Sequence, residues 1–224
     1  MPRTKRIAPG GMVFHALNRG VGRMRIFSND RDYLAFEELI EETLRLYPMR
    51  VLAHCLMPNH WHFVLWPEND GDLSAFLQRL TNTHTQRWQR AKRKVGYGHL
   101  YQGRFKSFPV ETDEHFYAVM RYVERNALRA NLVERAEDWR WGSLWRCVHH
   151  VESPLLTTWP IDRPRNWKHF VNQLQSEAEV AVVRRCVQRS CPFGSDNWTQ
   201  KTAAVLGLES TLRPRGRPKT VTDE

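Results

Sequence analysis

The segment that decides the fold is MPNHWHFVLW, residues 57–66. It is short, apolar and aromatic, which is typical of a buried β-strand. Side chains alternate between the two faces of a strand, so His60 and His62 point to one face while Trp61 and Phe63 point to the other. Two imidazoles on one face of a rigid strand can bind a metal ion together. The alternative is one buried, hydrogen-bonded histidine beside one that faces solvent.

Length and charge narrow the class of partner. The chain has 224 residues, enough for one large domain or for a domain with an appendage. Its 34 Lys and Arg residues outnumber its 24 Asp and Glu residues, which gives a net charge of +10. This charge attracts polyanions and favours nucleic acid or an acidic membrane surface as the partner. A basic but otherwise ordinary soluble enzyme is the alternative.

Targeting and cysteine patterns predict a cytoplasmic protein that does not enter a membrane. No stretch approaches the roughly 18 apolar residues of a spanning helix. The basic residues 1–6 precede no apolar run of signal-peptide length. The cysteines lack the spacing of a zinc site and are predicted to be free thiols. They are Cys55, Cys147, Cys186 and Cys191.

The predicted elements follow the order strand, helix, strand, strand, helix, strand, helix. Asn29 or Asp30 caps the first helix, Asp72 opens the second, and Thr112 or Asp113 caps the third. The first six elements predict an α+β fold, a ferredoxin-like βαββαβ sheet with helices on one face. The predicted strands cover residues 11–18, 49–56, 60–66 and 105–110. The first helix ends near residue 46 and the third near residue 128.

The pattern of the sequence changes near residue 135, which predicts that the chain is divided into two parts there. These are a catalytic domain, 1–135, and a mainly helical C-terminal extension, 136–224. Segments 178–189 and 199–206 are predicted to form a small helical, helix-turn-helix-like unit. The tail 213–219, RPRGRPK, resembles an AT-hook, in which arginines flanking a glycine lie along a narrow minor groove. A disordered solubilising tail is the alternative.

The predicted third helix carries polar side chains beside its apolar arc. Tyr122 and Asn126 lie one turn apart on the same flank, so a phenol and an amide oxygen can reach one point. Taken alone, such a tyrosine is more often a boundary residue with its hydroxyl in water. The paired histidines of the predicted strand favour a functional role for Tyr122 more strongly than the helix alone does.

Together these side chains can perform phosphoryl transfer. A divalent ion held by His60, His62 and the side-chain oxygen of Asn126 would polarise a phosphodiester and neutralise developing charge. Attack by the Tyr122 phenol would leave a phosphotyrosine, which conserves the energy of the ester for rejoining strands.

At this point the chain resembles a known family. The segments that carry the resemblance are 57–62 (MPNHWH), 101–105 (YQGRF), 122–127 (YVERNA) and 130–133 (ANLV). They resemble the single-tyrosine transposases of the HUH endonuclease superfamily, most closely the REP-associated tyrosine transposases. The resemblance covers roughly residues 11–145 and extends to the C-terminal run from residue 194 to residue 218. The combination is specific, although each motif alone is not.

The resemblance implies a full set of roles. His60 and His62 would be the paired metal ligands, Asn126 the third ligand and Tyr122 the nucleophile. The ion would be Mg²⁺ or Mn²⁺, and the product a 5′-phosphotyrosine with a free 3′-hydroxyl. The substrate would be single-stranded DNA with a small palindromic hairpin of the repetitive extragenic kind, bound by a monomer or homodimer. The family often has Asn-Pro where this chain has Asn126-Ala127, which is expected to lengthen the helix slightly.

Basic side chains near aromatic residues predict the contacts with DNA outside this site. Clusters of this kind combine phosphate binding with base stacking, which suits single strands. An ordinary solvated loop is the alternative for any one of them. The predicted DNA-binding residues are Arg19, Arg23, Arg25, Arg90, Lys92, Arg93, Lys94, Arg104, Arg213, Arg215, Arg217 and Lys219.

Two other functions compete with a transposase. The first is a non-catalytic regulator that binds hairpin DNA and descends from such an enzyme. The second is a metal-dependent hydrolase that uses bound water instead of Tyr122. The simultaneous presence of Tyr122, Asn126, His60 and His62 argues against a pure binder, which has no need of all four.

Overall fold

The computed structural model describes residues 7–151 and 155–213. Its four strands form one antiparallel sheet in the order β2-β3-β1-β4, the order of a ferredoxin-like fold. The predicted βαββαβ arrangement is confirmed, with boundaries displaced by one or two residues. The elements of this core are β1 (Val13–Arg19), α1 (Asp30–Leu46), β2 (Arg50–Met57), β3 (His60–Trp66), α2 (Asp72–Ala91) and β4 (Lys106–Val110).

Local chemistry explains where these elements begin. The side chain of Asn29 accepts a hydrogen bond from the Asp32 amide and caps α1, as predicted. Between β2 and β3, Met57 pairs directly with His60, so Pro58 and Asn59 form a two-residue turn. This turn fixes the register of the histidine strand.

The two faces of the sheet bury different helices. Trp61 and Phe63 of β3 pack with Phe36 of α1 and Leu77 of α2 in one apolar cluster. Val64 points to the opposite face, whose separate cluster holds residues of the next helix along the chain. The predicted alternation on β3 is therefore confirmed, and the two helices of the ferredoxin-like core share one face.

The chain continues with further helices, and those from α3 to α7 contribute side chains to the cluster on the second face. The 3₁₀ turns are short and connect the longer elements. The helices are α3 (Glu114–Glu124), α4 (Asn126–Arg129), α5 (Ser143–Val148), α6 (Trp167–Asn172), α7 (Glu177–Arg189), α8 (Asp196–Leu206) and α9 (Glu209–Leu212).

The predicted third helix is divided in two. Asp113 caps α3, as predicted, but the regular helix ends at Glu124 and α4 begins at Asn126. The intervening Arg125 donates Nη1 to the backbone oxygens of Val171 and Asn172, at 2.9 and 2.7 Å. The helix is therefore interrupted at the residue that contacts the C-terminal extension. The sequence around residue 125 does not predict this contact.

The extension contacts both edges of the sheet. At the β4 edge, Phe193 forms a parallel bridge with Val110. At the β2 edge, Cys55 forms an antiparallel bridge with Gly142. The helices predicted at 178–189 and 199–206 are present as α7 and α8. The division at residue 135 stays a prediction, because α3 and α7 bury side chains in one shared cluster.

No helix in the described ranges is both long and apolar enough to cross a membrane.

A buried hydrogen-bond chain attaches the basic loop to the sheet. Trp61 Nε1 of β3 donates to the Tyr101 hydroxyl at 3.0 Å, and this hydroxyl lies 2.6 Å from Nδ1 of His84 on α2. Burial lowers the pKa of His84 to about 3, so the ring is neutral near pH 7. Because the Tyr101 hydroxyl already accepts from Trp61, its own proton is free to donate to Nδ1 of His84. One hydroxyl thus joins a strand, a helix and the loop before β4.

We expect Tyr101→Phe to destabilise the protein by about 1–3 kcal/mol, because it leaves the Trp61 N–H and His84 Nδ1 buried without a partner. Urea unfolding followed by tryptophan fluorescence measures this loss. The matched control is Tyr97→Phe, since the Tyr97 side chain is 84% exposed. Equal midpoints for the two variants would contradict the proposed importance of this hydroxyl.

Candidate active site

The histidine strand and α3 meet on the second face of the sheet. The ring centroids of His60 and His62 are 4.9 Å apart, and that of Tyr122 lies 5.7 Å from His62 in an edge-on contact. All three side chains are buried. Two segments that are 60 residues apart in the sequence therefore bring a phenol beside paired imidazoles.

The proton of His60 is positioned by its neighbour in the turn. Nδ1 of His60 lies 2.6 Å from Oδ1 of Asn59, and Nδ2 of Asn59 donates to the Arg23 carbonyl. Because a carbonyl can only accept, the Asn59 amide must direct its oxygen to His60. His60 therefore carries its proton on Nδ1, and Nε2 keeps a free lone pair.

His62 has a different partner, one that the sequence analysis did not identify. Its Nδ1 lies 2.9 Å from Nε2 of His15 on β1, and both rings are buried. Across the β1–β3 pair His15 faces Val64, so it is the diagonal neighbour of His62 on the same face. The available signal was a histidine at an inward position of an apolar strand.

Burial keeps these imidazoles neutral. It lowers the pKa of His15 to about 3, and burial together with the nearby Arg19 and Arg129 guanidinium groups lowers the pKa of His60 to about 3. Burial followed by the neighbouring His60 and His15 rings lowers the pKa of His62 well below its usual value. Neutral imidazoles have the lone pairs that metal ligation needs.

Tyr122 is fixed by a cation on one side and opens on a cavity. The Arg129 guanidinium lies 4.2 Å from the centre of its ring, and Arg129 Nη2 donates to the Tyr122 carbonyl at 3.4 Å. The tyrosine lines a cavity of about 240 Å³. The other lining residues are Leu17, Arg19, Gln102, Lys106, Arg184, Val187 and Gln188.

Three elements supply the positive charge of this cavity. Arg19 ends β1, Lys106 begins β4, and Arg184 lies on α7 of the extension. Nε of Arg19 is buried without a hydrogen-bond partner among the described residues. A phosphate group would fit both this charge and the unused donor.

Asn126 begins α4 close to the strand opposite His62. Its side chain is 7% exposed, and its buried Nδ2 has no partner in the described part of the chain. The backbone of the next residue, Ala127, hydrogen-bonds to the Cys55 thiol, and Cys55 pairs with His62 across the sheet. Two neutral imidazoles and an amide oxygen are a suitable donor set for a divalent ion.

A second group of possible metal ligands lies at the other end of the sheet. The ligand atoms of Glu111, Asp113 and His115 lie within 4.8 Å of one another, beyond the last residue of β4. Two of these groups already have structural roles, because Asp113 caps α3 and Glu111 accepts the Ser195 amide. This group is remote along β4 from Lys106 and thus from the Tyr122 cavity.

The predicted DNA-binding residues occupy different environments. Arg19 lines the Tyr122 cavity, whereas Lys92 forms an ion pair with Asp32 at 2.9 Å and is engaged within the protein. The exposed members are Arg23, Arg25, Arg90, Arg93, Lys94 and Arg104.

Of the predicted tail, Arg213 is the last described residue. Arg215, Arg217 and Lys219 lie outside the described residues.

Sequence reasoning missed several residues around the phenol. Lys106, Arg129 and Arg184 have no motif of their own. Lys106 directly follows the 101–105 segment, and this position was the only feature of the sequence that could have indicated its place in the site. Arg129 and Arg184 come from helices whose approach to the site depends on tertiary packing.

Comparisons with known proteins agree with this geometry. Residues 11–126 match the family described as "Transposase IS200 like". A Haemophilus influenzae protein assigned as a REP-associated tyrosine transposase is 25% identical over 148 residues, covering 62% of this chain and 82% of that protein.

A solved structure shares the fold. It is a REP-associated tyrosine transposase bound to a REP hairpin, with a TM-score of 0.54 and 20% identity, and the match covers 74% of this chain and 96% of that one. With the matched family spanning more than half of its residues, the chain belongs to the IS200-like transposases, and its relatives are REP-associated tyrosine transposases.

Proposed function

We propose that this transposase cleaves and rejoins single-stranded DNA at palindromic hairpins through a 5′-phosphotyrosine at Tyr122. The observation that carries the proposal is the 5.7 Å separation of the Tyr122 and His62 rings beside a cation-lined cavity. A transposase family implies a DNA-cleaving enzyme. The tyrosine route and the single-stranded substrate are the additional steps that we infer.

A hairpin substrate is supported by the solved relative, which was bound to a REP hairpin. The net charge of +10 suits a polyanion of this kind. We propose the same substrate class here, with residues 1–135 forming the catalytic domain and residues 136–224 extending its DNA-binding surface. Action as a monomer or homodimer in the cytoplasm stays a prediction.

The protein side chains account for most of the reaction. Arg19, Lys106 and Arg184 would neutralise the phosphate that enters the cavity. The Tyr122 oxygen would form a bond to phosphorus as the bond to the 3′-oxygen breaks. The phenol loses its proton and the released 3′-oxygen gains one. Rejoining is the reverse reaction with another 3′-hydroxyl.

The donor set fits a divalent ion, which transposases of this family generally use. We propose that Nε2 of His60, Nε2 of His62 and the side-chain oxygen of Asn126 hold Mg²⁺ or Mn²⁺. Imidazole favours the softer Mn²⁺, whereas amide oxygen and water suit both ions. When bound, the ion supplies Lewis-acid polarisation of the phosphate.

We expect Tyr122→Phe to abolish the covalent adduct with a hairpin oligonucleotide in Mg²⁺, because no phenol remains to attack phosphorus. Denaturing gel electrophoresis of labelled DNA measures the adduct. The matched control is Tyr117→Phe, since the Tyr117 hydroxyl donates to the Asp162 carbonyl on the other flank of α3.

Each competing function gives a different result in this assay. A hydrolase that uses bound water would still cut DNA in Tyr122→Phe and lose cleavage in His60→Ala. A non-catalytic regulator would bind the hairpin tightly without any adduct in the wild-type protein. Either pattern would reject the proposed phosphotyrosine.

The charge of α7 provides a further test. We expect Arg184→Gln to weaken binding of single-stranded DNA and to reduce the salt slope by about 0.7, the value for one phosphate contact. Fluorescence anisotropy across a salt series measures both. Arg185→Gln is the control, because Arg185 is exposed one position along α7 and does not line the cavity. Identical slopes in the two variants would remove Arg184 from the DNA path.

The AT-hook-like tail can be tested by truncation after Leu212. We expect weaker DNA binding and a flatter salt dependence, because the removed segment carries the arginines Arg213, Arg215 and Arg217. Adduct formation at saturating DNA should persist. Unchanged affinity across the salt series would favour a solubilising tail.

A further inference from the structure

The two histidines of the candidate metal site are held by chemically different partners. His60 donates Nδ1–H to the amide oxygen of Asn59, an unambiguous acceptor. His62 directs Nδ1 at another imidazole, Nε2 of His15. An imidazole nitrogen can donate or accept, so this second contact does not by itself determine which nitrogen of His62 is protonated.

Two proton arrangements satisfy the contact between His15 and His62. In the first, His62 Nδ1–H donates to His15, which leaves a lone pair on His62 Nε2 and a proton on His15 Nδ1. In the second, His15 Nε2–H donates to His62 Nδ1, and the His62 proton occupies Nε2. Only the first arrangement leaves His62 able to bind a metal ion through Nε2.

Among the described residues, His15 has no polar partner other than His62. Its side chain is fully buried, and its Nδ1 has no hydrogen-bond partner in the described ranges. One side of its ring contacts Phe108 of β4, with centroids 4.8 Å apart. Its hydrogen bond with His62 is therefore the only polar function that the described structure gives to a buried imidazole.

We propose that His15 is a positioning residue that accepts Nδ1–H of His62 and so presents Nε2 of His62 to the divalent ion. This inference rests on the proposed function, because it assumes His62 as a ligand. Metal-bound histidines usually donate this proton to a carboxylate, a backbone carbonyl or water. Here a second imidazole, held on the neighbouring strand β1, has that task.

The test compares three variants of the full chain by Mn²⁺ binding, measured by electron paramagnetic resonance of the free ion. We expect His15→Leu to weaken Mn²⁺ binding about 10–100-fold, the usual effect of losing such a partner. His15→Gln should recover most of the affinity, since its carbonyl can accept the same proton. His54→Leu is the control, because His54 is equally buried on β2 but points with Phe63 to the other face.

Nitrogen NMR of the histidines gives a readout that a purely structural role would not change. In the metal-free wild type we expect His62 to be protonated on Nδ1 and unprotonated on Nε2. In metal-free His15→Leu the proton should move towards Nε2, because Nδ1–H has lost its acceptor. Circular dichroism and thermal unfolding establish that each variant is folded.

The outcomes separate this inference from the proposed function. Wild-type Mn²⁺ affinity in folded His15→Leu, with affinity lost in His62→Ala, would overturn the role of His15. A His62 that is protonated on Nε2 in the metal-free wild type would overturn it as well. Absence of the DNA adduct together with the expected Mn²⁺ and NMR results would reject the phosphotyrosine and leave His15 as the positioning residue.

Discussion

The pleat of β3 is the constraint on which the rest of this structure depends. Trp61 and Phe63 are fully buried against α1 and α2, and the same alternation directs His60 and His62 to the opposite face. A register shift of one residue would exchange the two sets, placing the imidazoles among the apolar helices and the Trp61 and Phe63 rings in the candidate site. Burial of these large aromatic side chains therefore fixes the register of β3. The register in turn determines that His60 and His62 face the candidate site.

Much of the fold could be predicted because its signals are local. Alternation on β3, the Pro58–Asn59 turn and the Asn29 cap depend on neighbours in the sequence, and all three are present. The interruption at Arg125 could not be predicted in this way. At this point Arg125 donates hydrogen bonds to backbone oxygens more than 40 residues away. The periodicity of the helix sequence carries no information about such distant contacts.

The candidate site shows the same division between local and distant information. The spacing of His60 and His62 predicted that both lie on one face, which is confirmed. The prediction that Tyr122 and Asn126 share a flank assumed one continuous helix, whereas the helix is interrupted at Arg125. The His15 contact depends instead on the diagonal register of β1 and β3, and Arg184 depends on the docking of α7. Lys92 shows that a local signal can also mislead. Its basic surroundings predicted a contact with DNA, but its side chain forms an ion pair with Asp32.

The β-bridges of Gly142 and Phe193 allow the extension to protect the edges of the sheet from pairing with other chains. Strand edges present unpaired amide and carbonyl groups that recruit other chains, and proteins avoid aggregation by covering them. Here chain from beyond residue 135 pairs with both outer strands, β2 and β4. A fragment that ends at that residue would expose the edges of both outer strands, so the part that carries Tyr122 depends on the rest of the polypeptide to remain unaggregated.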